Sequence, residues 1–141
     1  MSGYNQTMKV YITVPFTNGE NKAEIERLCS IVKSSGFDDF CFVRDMKAFD
    51  DPKELMVKAR EEIQKCDVLL FDASVKSTGR AIEVGIAYSL NKKIIVIIKE
   101  GAAIKDNLQG VADSVITYKN IEDIQSDLTS LYSKWHWKKT R

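Results

Sequence analysis

Short apolar runs rich in β-branched residues alternate along this chain with longer stretches whose apolar positions recur every three or four residues, which is the pattern of alternating strands and helices. Met8–Val14 (MKVYITV) reads as the first strand. A turn through Pro15, Phe16, Thr17, Asn18 and Gly19 follows, and Ala23, Ile25, Leu28, Ile31 and Val32 then fall at helical spacing as far as Gly36. Phe40–Val43 predicts a short second strand. Asp51 as N-cap and Pro52 at the first helical position open a second helix carrying Leu55, Val57, Ala59 and Ile63 to about Lys65. Asp67–Asp72 (DVLLFD) is a third strand, Ser77–Leu90 a helix, and Lys93–Ile98 (KIIVII) a fourth strand. After a loop containing Gly101 and Gly110, Ser114–Tyr118 predicts a fifth strand and Ile121 to about Trp135 a final amphipathic helix.

The third and fourth strands are too continuously apolar for a sheet with one wet face, so both sides are expected to be covered. Five strands separated by helices imply right-handed crossovers. The expectation is one α/β domain over residues 1–141, a five-stranded parallel sheet with helices on both faces and the flavodoxin-like, Rossmann-like order 2-1-3-4-5. Ligands of such sheets bind beyond the carboxyl ends of the strands, near the switch point between the first and third. Tyr11–Gly19, Asp72–Glu83 and Lys99–Gly110 are therefore the segments in which to look for a site.

Composition narrows the function classes. With 44% hydrophobic and 29% charged residues and only 2 Pro and 7 Gly in 141, the chain is neither disordered nor collagenous. Its 21 basic and 20 acidic residues leave no global field to draw it to nucleic acid or an anionic membrane. The longest apolar runs, such as Ile94–Ile98, fall far short of the roughly 20 residues that cross a bilayer. Met1–Lys9 has no apolar leader segment, and the expectation is a soluble, cytoplasmic protein. Cys29, Cys41 and Cys66 are widely spaced within apolar stretches and are expected to be buried, reduced thiols. Neither G-x-G-x-x-G nor G-x-x-x-x-G-K follows the first strand, which argues against dinucleotide oxidoreductases and P-loop NTPases. His136, between Trp135 and Trp137, has no second histidine to make a metal site, and the WHWKKTR end reads as a docked helix terminus with a basic, solvated tail.

The most informative stretch is DVLLFDASVKSTGRAIEVGIAYSL, residues 67–90. It sets one carboxylate, Glu83, among Ala81, Ile82, Val84, Gly85, Ile86 and Ala87. Buried without partners, that carboxylate would cost several kcal/mol or take up a proton; near a helix start it could also point into water and gain from the helix dipole. Ser77, Thr78 and Gly79 suit a helix N-terminus with a hydroxyl cap and a glycine that lets a ligand approach the backbone, flanked by Lys76 and Arg80.

These residues resemble the nucleoside 2-deoxyribosyltransferases and their relatives, the 2'-deoxynucleoside 5'-monophosphate N-glycosidases. Three segments carry the similarity: KVYIT at Lys9–Thr13, GRAIEVGIAYSLNKKIIVI at Gly79–Ile97, and NLQGVADSVITY at Asn107–Tyr118. The resemblance implies that Glu83 attacks the anomeric carbon of a deoxyribosyl group, giving a covalent deoxyribosyl-enzyme through an oxocarbenium-like transition state. Tyr11 would orient that carboxylate. Asp72 at the end of the third strand would assist the base or bind the sugar, and Asn107 would position the sugar or Glu83. The mechanism needs no metal or organic cofactor, and the family's habit implies a homo-oligomer, a dimer or larger.

Two positions depart from the family pattern. Ala59 stands where many members carry an aspartate that assists the base. Ser77 stands six residues before Glu83, where transferases carry an aspartate and the monophosphate hydrolases a serine at a phosphate site. An aspartate repels a 5'-phosphate and a serine cap accepts one, so Ser77 with Lys76 and Arg80 turns the expectation toward hydrolysis of a deoxynucleoside monophosphate. Base transfer between deoxynucleosides is the enzymatic alternative. A non-catalytic nucleotide-binding sensor is the alternative from another class.

Overall fold

The computed structural model describes residues 7–15, 20–46, 50–74 and 78–139. Five parallel strands, β1 (Lys9–Thr13), β2 (Asp38–Cys41), β3 (Val68–Asp72), β4 (Lys93–Lys99) and β5 (Ser114–Tyr118), lie in the order β2-β1-β3-β4-β5. This is the expected order. It makes β1 and β3 neighbours, Tyr11 pairing with Phe40 on one side and Leu69 on the other. The strand order reverses at that pair, which is where such a sheet opens a crevice beyond the carboxyl ends of its strands.

Helices α1 (Lys22–Ser34) and α6 (Ile124–Lys139) cover one face. There Val10, Ile12, Leu70, Ile95 and Ile97 meet Leu28, Cys29 and Val32 of α1 and Ile124, Leu128 and Trp135 of α6. Helices α3 (Pro52–Lys65) and α4 (Thr78–Ser89) cover the other, where Tyr11, Leu69, Phe71, Ile94 and Val96 meet Ile63, Val84 and Ala87. Successive strand residues thus serve opposite layers, which is why β3 and β4 are apolar without a break. Cys29, Cys41 and Cys66 are free and buried, as expected.

The local signals act as predicted at several ends. Asp51 caps α3, its carboxylate accepting from the Lys53 N–H at 3.0 Å, and Pro52 takes the first turn. Gly36 ends the α1 segment at φ +115°, and a Cβ there would stand 2.7 Å from the Tyr132 ring, so both backbone and space require glycine.

Three elements differ from the sequence expectation. β2 ends at Cys41, and Phe42–Asp45 forms one helical turn, α2, closed by the Asp45 carboxylate accepting the Cys41 N–H at 2.9 Å. The expected loop before β5 contains a short helix, α5 (Asp106–Val111). The last helix is preceded by a 3-10 turn at Ile121–Asp123 and runs on to Lys139 instead of stopping near Trp135. Trp135 is buried, His136 stacks on Tyr132 with ring centroids 4.8 Å apart, and Trp137 is exposed. Among the described residues no helix is long and apolar enough to cross a membrane.

Candidate active site

Glu83 lies in the second turn of α4, the helix that follows the central strand β3. Val84 and Ala87 fix this helix on the sheet, and Glu83 meets the end of β1. Two hydroxyls hold its carboxylate: the Tyr11 O–H donates to Oε2 in a short contact, and the Thr13 O–H donates to Oε1 at 2.6 Å. Tyr11 and Thr13 are two apart on one strand, so the pleat aims both at α4. Their burial is nearly complete, at 0% and 4% exposure. Each carboxylate oxygen thereby has a fixed donor and keeps lone-pair capacity for other contacts.

Burial is the main influence on Glu83, pushing its pKa above the usual carboxylate value; the Thr13 and Tyr11 hydroxyls and the Arg80 charge pull against that rise. Burial and the neighbouring Glu83 charge push the Tyr11 phenol well above its ordinary value, which keeps it a hydrogen-bond donor at any physiological pH. Glu83, Thr13, Gly79 and Arg80 line a cavity of about 250 Å³ whose other wall is apolar, from Phe42, Val43, Leu55 and Met56. The turn α2 and the first turn of α3 thus form the side opposite the carboxylate.

Arg80, expected beside the helix start as a positive charge for a phosphate, is buried. It is 5% exposed, its Nη1 donates to the Asp72 main-chain oxygen at 2.5 Å, and its guanidinium lies 4.9 Å from the centre of the Phe71 ring. Asp72 turns its carboxylate away from this cavity. Oδ2 accepts from the Tyr118 hydroxyl at 3.0 Å and Oδ1 from the Ser74 N–H at 2.9 Å, while the Ser74 Oγ accepts from the Lys99 N–H at 2.9 Å. These residues border a second, larger cavity of about 560 Å³, which shares Val14 and Pro15 with the first and is also lined by Lys99, Lys119 and Asn120. Burial and the Asp72 carboxylate raise the Tyr118 pKa.

The sequence-derived residues therefore divide. Glu83, Tyr11 and Gly79 come together at the smaller cavity, and Asp72 lines the larger one. Gly79 is exposed, and no atom of the described residues lies within 4 Å of where a Cβ would be. Asn107 is exposed on α5 and lines neither cavity. Ser77 and Lys76 lie outside the described residues. Ala59 is buried in α3. Thr13, the buried state of Arg80 and the role of Tyr118 were missed. A period of two from Tyr11 points to Thr13, and a spacing of three from Glu83 points to Arg80; nothing local points to Tyr118, which meets Asp72 only through the sheet.

No family model matches the chain, and no curated protein matches it. Among solved structures, the CMP N-glycosidase of Clostridium botulinum is similar at a TM-score of 0.65 and 22% identity, over 85% of this chain and 97% of that one. The 2-deoxyribosyltransferase of Bacillus psychrosaccharolyticus is similar at a TM-score of 0.65 and 18% identity, over 85% and 95%. A signal receiver domain from Vibrio parahaemolyticus is also similar, at a TM-score of 0.58 and 12% identity, over 94% and 95%. One fold here serves glycosyl chemistry and signal reception, so any function has to be argued from the site. The chain has the fold of the N-glycosidase and deoxyribosyltransferase structures across most of its length.

Proposed function

We propose that this protein is an enzyme of the nucleoside 2-deoxyribosyltransferase superfamily that hydrolyses the N-glycosidic bond of 2'-deoxynucleoside 5'-monophosphates. The observation that carries the reading is the half-buried Glu83 carboxylate on a cavity wall, gripped at both oxygens by Tyr11 and Thr13. A helix that needed only to pack has no use for such a group. Fixing it in advance removes the reorientation that an exposed glutamate would undergo at each turnover.

In the proposed reaction one Glu83 oxygen bonds to the anomeric carbon as the C–N bond breaks and its electron pair leaves with the base. Charge then flows from the carboxylate toward the sugar, and the two hydroxyl donors keep the attacking group in line. Water attacks the resulting glycosyl ester and releases deoxyribose 5-phosphate, regenerating the carboxylate. The apolar wall of Phe42, Val43, Leu55 and Met56 suits the flat face of a nucleobase. The open space over Gly79 leaves room for a ligand against the first turn of α4. Preference for a 5'-monophosphate rests on Ser77 in the sequence and on the family resemblance. The family reading carries a homo-oligomer with it, supported by the exposed apolar side chains Val57 of α3 and Ile82 and Tyr88 of α4.

The test incubates the protein with each deoxynucleoside and its 5'-monophosphate, with and without an acceptor base, and measures released base by chromatography beside Glu83→Ala. Release from monophosphates alone, lost in the variant, is the expected result. Exchange into the acceptor would make the protein a transferase, and absence of turnover on every substrate would sink the enzymatic reading in favour of a nucleotide sensor. Mass spectrometry of the quenched reaction is expected to find a deoxyribosyl adduct on the peptide containing Glu83.

A further inference from the structure

Among the described residues, the charged side chains bordering the smaller cavity are Glu83 and Arg80, one turn apart on α4. Arg80 is buried against considerable cost: removing a guanidinium from water is expensive unless something in the interior needs its charge. Its anchorage is elaborate. The Asp72 carbonyl accepts from it, the Phe71 ring lies under it, and the Asp72 backbone is in turn pinned where Tyr118 and Ser74 hold the Asp72 carboxylate. A chain of contacts thus runs from the end of β5, through the end of β3, to the helix that carries Glu83.

We propose that Arg80 is a positioning residue for the reaction, the fixed cation that keeps the half-buried Glu83 carboxylate ionised and ready to attack. Every other neighbour has a different capacity. Tyr11 and Thr13 of β1 are neutral donors, and the cavity-lining residues of α2 and α3, Phe42, Val43, Leu55 and Met56, carry no charge. From β3, Asp72 is the remaining charged group whose field reaches Arg80, and its carboxylate is engaged by Tyr118. Arginine suits the task better than lysine because its guanidinium keeps its proton in an apolar setting and stacks on an aromatic ring. Burial does draw the Arg80 pKa down, while the Asp72 and Glu83 charges raise it.

The inference deepens the glycosidase reading, on which its catalytic meaning rests, yet it can be tested apart from turnover. The Glu83 carboxyl is titrated by carbon-13 NMR of glutamate-labelled protein, with Glu83→Gln assigning the resonance, in the wild type, Arg80→Gln and Arg80→Lys. Arg80→Gln is expected to raise the Glu83 midpoint by about one pH unit, and Arg80→Lys to return most of it. Arg80→Met keeps an unbranched stem over Phe71 and serves if the glutamine variant does not fold. A midpoint that stays put in a folded variant without the positive charge overturns the proposal, whatever the activity.

Base release measured against pH supplies the catalytic half. The acidic limb of kcat is expected to move upward with the Glu83 midpoint, so that the neutralised variants lose about tenfold below the new limb and recover at higher pH. A uniform loss at every pH with an unmoved limb would mean a purely structural arginine and would overturn the assignment. If the wild type turns over no substrate while the NMR midpoint shifts as expected, the electrostatic role stands and the glycosidase reading falls.

Discussion

Between α1 and α6 on one side and the sheet on the other, β1 contributes Val10 and Ile12 to a layer of aliphatic and aromatic side chains; between α3, α4 and the sheet, the same strand contributes Tyr11 and Thr13 to a carboxylate. One five-residue strand thus builds a packing surface with its even positions and a chemical surface with its odd ones. The first layer has only area to lose if altered. In the second, the groups that cost stability are the ones that could take part in chemistry: a half-buried carboxylate at Glu83, a phenol with no exposure, a guanidinium beside an aromatic ring. Proteins place such locally unfavourable groups where function requires them and offset them with packing elsewhere.

The comparison breaks most sharply if Glu83 proves dispensable. Glu83→Gln is expected to lower base release on the order of 10⁴-fold, the scale seen when an enzyme loses its nucleophile, while circular dichroism and elution volume stay those of the wild type. A variant that kept a tenth of the activity would put the chemistry elsewhere. On the opposite face, Leu128→Ala removes a fully buried side chain of α6 and is expected to cost about 2–5 kcal/mol of stability in a denaturant titration. Substrate KM should be unchanged wherever the variant is folded, because Leu128 itself does not line the Glu83 cavity.

Most of this division was legible in the sequence. Strand and helix alternation, the Asp51 cap and the isolated carboxylate in α4 are local or periodic signals, and the structure contains each of them; the sheet order was expected from the fold class that such alternation implies, and the structure has it too. α2 and α5 were not legible, since a helix of four or six residues is too short to display a period. The burial of Arg80 was not legible for a different reason: the sequence sets a positive charge beside the helix start, and only the third dimension supplies the Phe71 ring and the Asp72 carbonyl that let it lie inside. Tyr118 is 46 residues from Asp72, and the pair is created by β4 and β5 completing the sheet.

Tyr11→Phe sharpens the comparison at a single atom. The ring is expected to keep its place beside Phe40, their centroids being 5.6 Å apart, so the fold survives while Glu83 loses one of its two donors. A hydrogen bond to a charged group contributes roughly 1.5–3 kcal/mol, which translates to a fall in kcat of about 10- to 100-fold if the bond matters for attack. The Glu83 midpoint should rise as well, because Tyr11 is one of the groups holding it down. A phenylalanine variant with unaltered kcat would reduce Tyr11 to a core residue.

The smallest effect expected is a gain. Glu83 is raised in the folded protein, chiefly by burial, so below its unfolded value the carboxyl is neutral in both states and costs little. As pH rises through the window between the unfolded and the raised folded value, the unfolded chain gives up its proton first, and folding stability falls. Above that window the folded protein carries a partly desolvated charge, which Thr13, Tyr11 and Arg80 offset. Glu83→Gln removes the charge and keeps the shape, so thermal unfolding at pH 7 is expected to shift upward by a few degrees, corresponding to about 1 kcal/mol. The gain should shrink as the pH is lowered through the same window and vanish where the wild-type carboxyl is protonated. Leu128→Ala, made in a layer with no such charge, should show a loss of stability that stays nearly constant across that range. A Glu83→Gln gain equally constant with pH would mean that burial of charge is not what the Glu83 face gives up.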